Sequence, residues 1–187
     1  MNTPLNPIAS IRDRPGSAPE GPERFLWGAT VGVSLGRLLK GTILGGRAAE
    51  LVGRSVLVAT QDQFAAALAL VELDGIARRL VVCTPDLPSQ HLSGVVATAG
   101  VDPIVSDHDR GDDGSSQPFR VLCDSALTSA KETPITHRKT EWVLLTSGTT
   151  AAPKMLVHSL PPHKIPATIR FVPSIEMAAA GKPARHA

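Results

Sequence analysis

Residues 54–87 read RSVLVATQDQFAAALALVELDGIARRLVVCTPDL. Ser55–Thr60 is a short apolar run rich in β-branched residues, the signature of a buried strand. Asp62 can cap the next segment, an alanine- and leucine-rich helix from Phe64 to Leu73 that should stop near Gly75. Arg79–Thr84 then repeats the strand pattern. Further along, Pro88–Ala99 predicts a second helix closed by Gly100, and Pro103–Asp107 a third strand. Arg120–Asp124 is a candidate fourth strand. Strand, helix, strand, helix, strand is the order of an α/β fold with a mostly parallel sheet and crossover helices.

The flanks are weaker. Residues 1–23 are polar and too rich in Pro for a helix or central strand, and read as a disordered leader. Phe25–Gly36 is apolar but too short to cross a bilayer, so a buried or partly buried segment is expected. Residues 33–52 carry a weak helical pattern, broken by Gly41 and Gly45-Gly46 into two short pieces. Residues 108–118 predict a polar loop, and 127–140 a linker. Trp142–Leu145 is a further short strand. Residues 161–187 begin at Pro161-Pro162 and are too few for a core of their own.

Composition narrows the function. The 187 residues are 42% hydrophobic and 19% charged, enough for a core, with a net charge of +2. Basic residues are scattered and aromatics make up only 3%, which argues against nucleic acid. The two cysteines, Cys83 and Cys123, make neither a disulfide framework nor a zinc motif, as in a reduced, cytoplasmic protein. The six histidines show no ligand spacing. Asp107, Asp109, Asp112 and Asp113 lack the spacing and closing Glu of a calcium loop and read as a solvated loop. No metal ligands are assigned.

The chemistry concentrates in residues 144–154, LLTSGTTAAPK. An apolar strand delivers a loop of small hydroxylated residues, one Gly and a Lys. Small residues let backbone N–H groups approach phosphate oxygens, and the hydroxyls of Thr146, Ser147, Thr149 and Thr150 add donors beside Gly148. Lys154 supplies a point charge. This is not a P-loop of the GxxxxGK[ST] kind, because the Lys follows Pro153 and no Ser or Thr succeeds it. Composition alone favours an ordinary Ser/Thr-rich turn.

The order of residues points further. TSGTT-x-x-PK after a hydrophobic strand, followed by Val157-His158-Ser159, resembles the phosphate loop of the adenylate-forming superfamily, which includes acyl-CoA synthetases, peptide-synthetase adenylation domains and luciferases. Ala151 stands where that family has Gly or Ser, and its Cβ crowds the loop. Residues 54–87 resemble the family's early N-terminal subdomain. The tail, HKIPATIRFVPSIEMAAAGKPARHA, resembles the family's extreme C-terminus through Lys164, Pro166, Ile169, Phe171, Val172, Ile175, Gly181, Lys182 and Arg185, with Glu176 where Pro is usual. Composition alone also fits a flexible basic tail. The resemblance implies that Lys182 is the catalytic lysine of adenylation, stabilising charge between the acid's carboxylate and the α-phosphate. It also implies ATP and Mg2+, a small-molecule carboxylic acid, and CoA as co-substrate.

The family's other parts do not occur in these residues: the aromatic-Gly-x-Thr-Glu segment for adenine and magnesium, the ribose Asp, the interdomain hinge and most of the acyl pocket. The expectation is therefore an internally deleted acid–CoA ligase, inactive alone. Its N-terminal α/β part would span 24–160 and a C-terminal remnant 161–187, with the junction near Leu160-Pro161. Alternatives are an ATP- or phosphate-binding module, or a subunit completing its site with a partner chain. Such a deletion predicts exposed apolar sheet surface, marginal stability, self-association, or disorder at 1–23 and 161–187.

Overall fold

A computed structural model describes residues 24–85, 87–109, 118–129, 138–146, 153–158 and 169–170. In chain order its elements are β1 (Phe25–Trp27), β2 (Gly32–Ser34), α1 (Leu35–Lys40), β3 (Gly41–Thr42), a 3-10 turn (Arg47–Leu51) and β4 (Ser55–Val58). Then come α2 (Gln63–Leu73), β5 (Arg79–Val82), α3 (Ser89–Ala99), β6 (Pro103–Ser106) and β7 (Phe119–Leu122). The last are β8 (Thr128–Ser129), β9 (Glu141–Thr146), β10 (Lys154–His158) and β11 (Ile169–Arg170).

The main sheet has the order β10-β9-β5-β4-β6-β7. Neighbours from β9 to β7 run parallel, and β10 closes one edge antiparallel to β9. This is the α/β architecture expected from residues 54–107. All four residues of β4 are buried because both faces of the sheet are covered. Val56 and Val58 share a core with Leu68 and Phe64 of α2, while Leu57 and Val81 share another with Val95 and Ala99 of α3. The alternation along β4 thus sends successive side chains to opposite helices. Deleting Leu57 or Leu68, each fully buried, would cost about 2–5 kcal/mol.

The two main helices start and stop for local reasons. The Asp62 carboxylate accepts the Phe64 amide at 2.8 Å and opens α2. Gly100 closes α3 with φ of 57°, a left-handed conformation that costs Gly little. α2 is buried on nearly all sides because it lies between the sheet and a layer built from β1, β2 and α1.

The two short helical pieces expected over 33–52 are present: Leu35–Lys40 is a helix, and the second tightens to a 3-10 turn after Gly45 and Gly46, whose φ values are 59° and 83°. Gly32–Ser34 and Gly41–Thr42 are strands beside them. One expectation needs correction. Residues 127–140 are not simply a linker. Thr128–Ser129 pairs antiparallel with β3, and a Cβ at Gly41 would lie 2.6 Å from Leu127 Cγ, so this pairing needs a glycine there. Thr140 is buried, donates to the Ala77 carbonyl and accepts the Gly75 amide, both at 2.8 Å. Within the stretch 161–187, Ile169–Arg170 pairs with β1 as a parallel strand. The leader 1–23 and the rest of the tail lie outside the described residues, as do 110–117 of the polar loop.

Apolar side chains are exposed on the outer strands. Leu144, Leu156 and Val157 are 38%, 49% and 59% exposed, and Leu122 on the opposite edge strand is 51% exposed.

Candidate functional site

The candidate phosphate loop connects β9 to β10. Since β9 runs parallel to β5 and β4, its C-terminal end delivers the loop to the edge of the sheet where those strands also end. The register places Lys154 opposite Thr146, Leu156 opposite Leu144 and Val157 opposite Val143. Of the seven residues singled out by sequence, the fold therefore brings Thr146 and Lys154 together across the base of a hairpin. Lys154 is exposed and begins β10, so its backbone is held by strand pairing rather than carried on the loop. Ser147, Gly148, Thr149, Thr150 and Lys182 lie outside the described residues.

The same edge carries a polar network that sequence reading missed. α2, which links β4 to β5, packs on one face of the sheet, and α3, which links β5 to β6, packs on the other. The chain thus departs toward opposite faces from the ends of β4 and β5, while β6 ends beside β4. Asp107, just past β6, reaches across to the segment that follows β4. Its carboxylate accepts the Gln61 amide at 2.9 and 3.0 Å and the Asp62 amide at 2.7 Å. The His108 ring lies beside it, with Nδ1 at 2.8 Å from Asp107 Oδ1.

Asp107 is thus no solvated loop acid. Partial burial pushes its carboxyl up, but the hydrogen bonds from His108, Asp62 and Gln61 outweigh this and hold it below the usual carboxylate value. Ser106 is buried behind it, and its hydroxyl donates to the His108 carbonyl at 2.9 Å. Ser106, Asp107 and His108 do not form a nucleophile relay. The serine hydroxyl, at 3.2 Å, and the carboxylate both meet the same ring nitrogen, Nδ1. The sequence signal that could have found Asp107 is its position immediately after a buried strand in a parallel α/β unit.

Two further groups are structural. Glu72 on α2 is fully buried and accepts the Thr42 hydroxyl at 2.6 Å and the Ile43 amide at 2.9 Å. Burial pushes the Cys123 thiol up to about 12, with a smaller contribution from Asp107. Cys83 is partly exposed. Among the described residues no group of three or more His, Cys, Asp or Glu side chains could hold a metal ion, and no helix is long and apolar enough to cross a membrane.

Solved structures share this fold. Klebsiella oxytoca NpsA N-terminal subdomain aligns with 73% of this chain and 38% of its own, at 18% identity and a TM-score of 0.51. A malonyl-CoA ligase, in a ternary product complex with methylmalonyl-CoA and AMP bound, aligns with 72% of this chain and 29% of its own, at 20% identity and a TM-score of 0.50. CmiS6 aligns with 84% and 42%, at 18% identity and a TM-score of 0.52. The chain therefore spans less than half the length of each of these structures. No protein-family model matches it, and no curated protein does.

Proposed function

Starting from a fold shared with the N-terminal part of adenylate-forming enzymes, we propose that the chain derives from an ATP-dependent carboxylic acid–CoA ligase and does not complete that reaction alone. The reaction of the resembled family joins an acid to ATP, giving acyl-AMP and pyrophosphate, and then moves the acyl group to the thiol of CoA. The observation that carries this reading is the hairpin: TSGTTAAPK leaves the C-terminal end of β9, which runs parallel to β5, and Lys154 stands opposite Thr146.

In this reading the loop amides and hydroxyls of residues 146–150 hold the phosphates, and Lys154 adds a point charge from the strand. Lys182 supplies the adenylation charge, as the tail's resemblance implies. Mg2+ would enter with the nucleotide; the described residues offer no metal cluster, so no step is assigned to it. The adenine, ribose and acyl contacts named by the resemblance do not occur in the 187 residues. For that reason 24–160 is read as a partial AMP-binding domain and 161–187 as a remnant of the C-terminal tail, in a cytoplasmic protein.

A second reading, a residual ATP- or phosphate-binding module, rests on the fixed position of Lys154 at the start of β10. A third, a subunit completing its site with a partner chain, is favoured by the exposed apolar side chains of β9 and β10. Two assays separate them. The ligase-remnant reading expects no acid-dependent release of pyrophosphate from ATP, and turnover by the chain alone would overturn it. Calorimetric titration with Mg·ATP tests the module: saturable binding that Lys154→Ala weakens about tenfold would establish it. Binding indifferent to that change would remove the hairpin from the argument.

A further inference from the structure

On the α3 side of the sheet edge there is a small cavity of about 40 Å³. Gln61, Cys83, Thr84, His108 and Arg120 are among the residues that line it. It lies between the ends of β4, β5 and β6 and the chain entering α3. Arg120 reaches this side because it pairs in register with Ile104, which packs in the core beneath α3.

The charges around the cavity are unequal. Arg120 is half-buried, and its backbone carbonyl accepts from Arg47 Nη1 at 3.1 Å. Its guanidinium makes no hydrogen bond or ion pair among the described residues. A guanidinium carries five donors and no acceptor, and an anion answers it with charge-assisted hydrogen bonds. Among the described lining residues there is no carboxylate; Asp107 and Asp62 line a larger cleft, although the Asp107 carboxylate meets the Gln61 amide and the His108 ring. His108 stands on the wall, with its ring oriented by Asp107. Gln61 and Thr84 contribute neutral donors.

Size limits the ligand. A single water needs about 10–15 Å³ of such space. The cavity therefore takes one small group and excludes a nucleotide base or an acyl chain. We propose that this crevice binds a single small oxyanion, a phosphate or carboxylate group, with the Arg120 guanidinium as its principal partner and His108 as the second. Anion binding here does not depend on the β9–β10 hairpin holding phosphate.

The test is a titration of the full chain with inorganic phosphate, followed by amide and arginine side-chain NMR signals at constant pH and ionic strength, with chloride as the replaced anion. Acetate in a parallel titration separates phosphate from carboxylate preference. The expected result is saturable movement of the Gln61, Thr84 and His108 amides and the Arg120 Nε signal by at least one of the two anions. Arg120→Gln should weaken that binding about tenfold or more, the effect of losing a charge-assisted hydrogen bond. Lys154→Ala should leave it unchanged. If Arg120→Gln loses its dispersed spectrum, His108→Gln carries the same expectation with a smaller loss. No saturable movement with either anion, movement confined to residues 141–158, or equal affinity in the folded variants would overturn the proposal.

Discussion

Glu72→Ala should be among the most destabilising single changes in this protein. The carboxylate is fully buried on α2 and accepts two donors from the strand-to-turn segment 42–43, at 2.6 and 2.9 Å. Alanine leaves the Thr42 hydroxyl and the Ile43 amide without that acceptor, in a place water does not reach. Each orphaned donor costs about 1–3 kcal/mol, and the vacated volume adds to this. A loss of about 3–5 kcal/mol is expected, against a total stability of about 5–15 kcal/mol for an ordinary domain. Urea unfolding followed by far-UV circular dichroism measures it. Thr42→Val removes the hydroxyl donor and should cost about 1–3 kcal/mol. Because the two residues are in contact, the double variant should lose less than the sum, by about 1 kcal/mol or more. A loss below about 1 kcal/mol for Glu72→Ala, or strict additivity with Thr42→Val, would refute the view that this pair ties α2 to the β3 segment.

Two other outcomes are expected at the sheet edge and the cysteines. The Asp107 carboxyl titrates below its unfolded value of about 3.9, so its contribution is complete above that pH and lost as pH falls through the lower folded value. The difference in urea midpoint between the wild type and Asp107→Asn should stay constant from neutral pH downward and shrink only below about pH 4; a difference that does not change with acid would contradict the assignment. With a thiol-labelling reagent, Cys83 should react in the native state, whereas Cys123, buried and pushed up to about 12, should react only on unfolding. Equal rates for both would contradict the burial of Cys123.

Much of the fold is legible without coordinates. Period and punctuation mark β4, α2, β5, α3 and β6, because each of those signals is local: the β-branched run at 55–58, the Asp62 cap, the Gly100 stop. The lysine and hydroxyl series at 144–154 is likewise readable in one dimension, since chemistry of that kind depends on spacing along one loop. What sequence misjudges is whatever depends on a distant partner. Gly41–Thr42 and Thr128–Ser129 become strands only because they find one another. Thr140 and Arg138 look like linker until they meet the turn at Gly75–Ala77.

The sequence alone thus determined the α/β class, the order of the central elements, and the resemblance of the 144–154 segment to a phosphate loop. Only the tertiary structure decided the rest of the sheet edge. It set the strand order that places β4 between β5 and β6 and brought Asp107 onto the Gln61 and Asp62 amides. It also set Lys154 opposite Thr146, and brought His108 and Arg120 into one crevice without a carboxylate among its described lining residues. The physical reason is that helix caps and strand propensity act over a few residues, whereas a crevice is made by side chains far apart in the chain whose meeting depends on which strands pair.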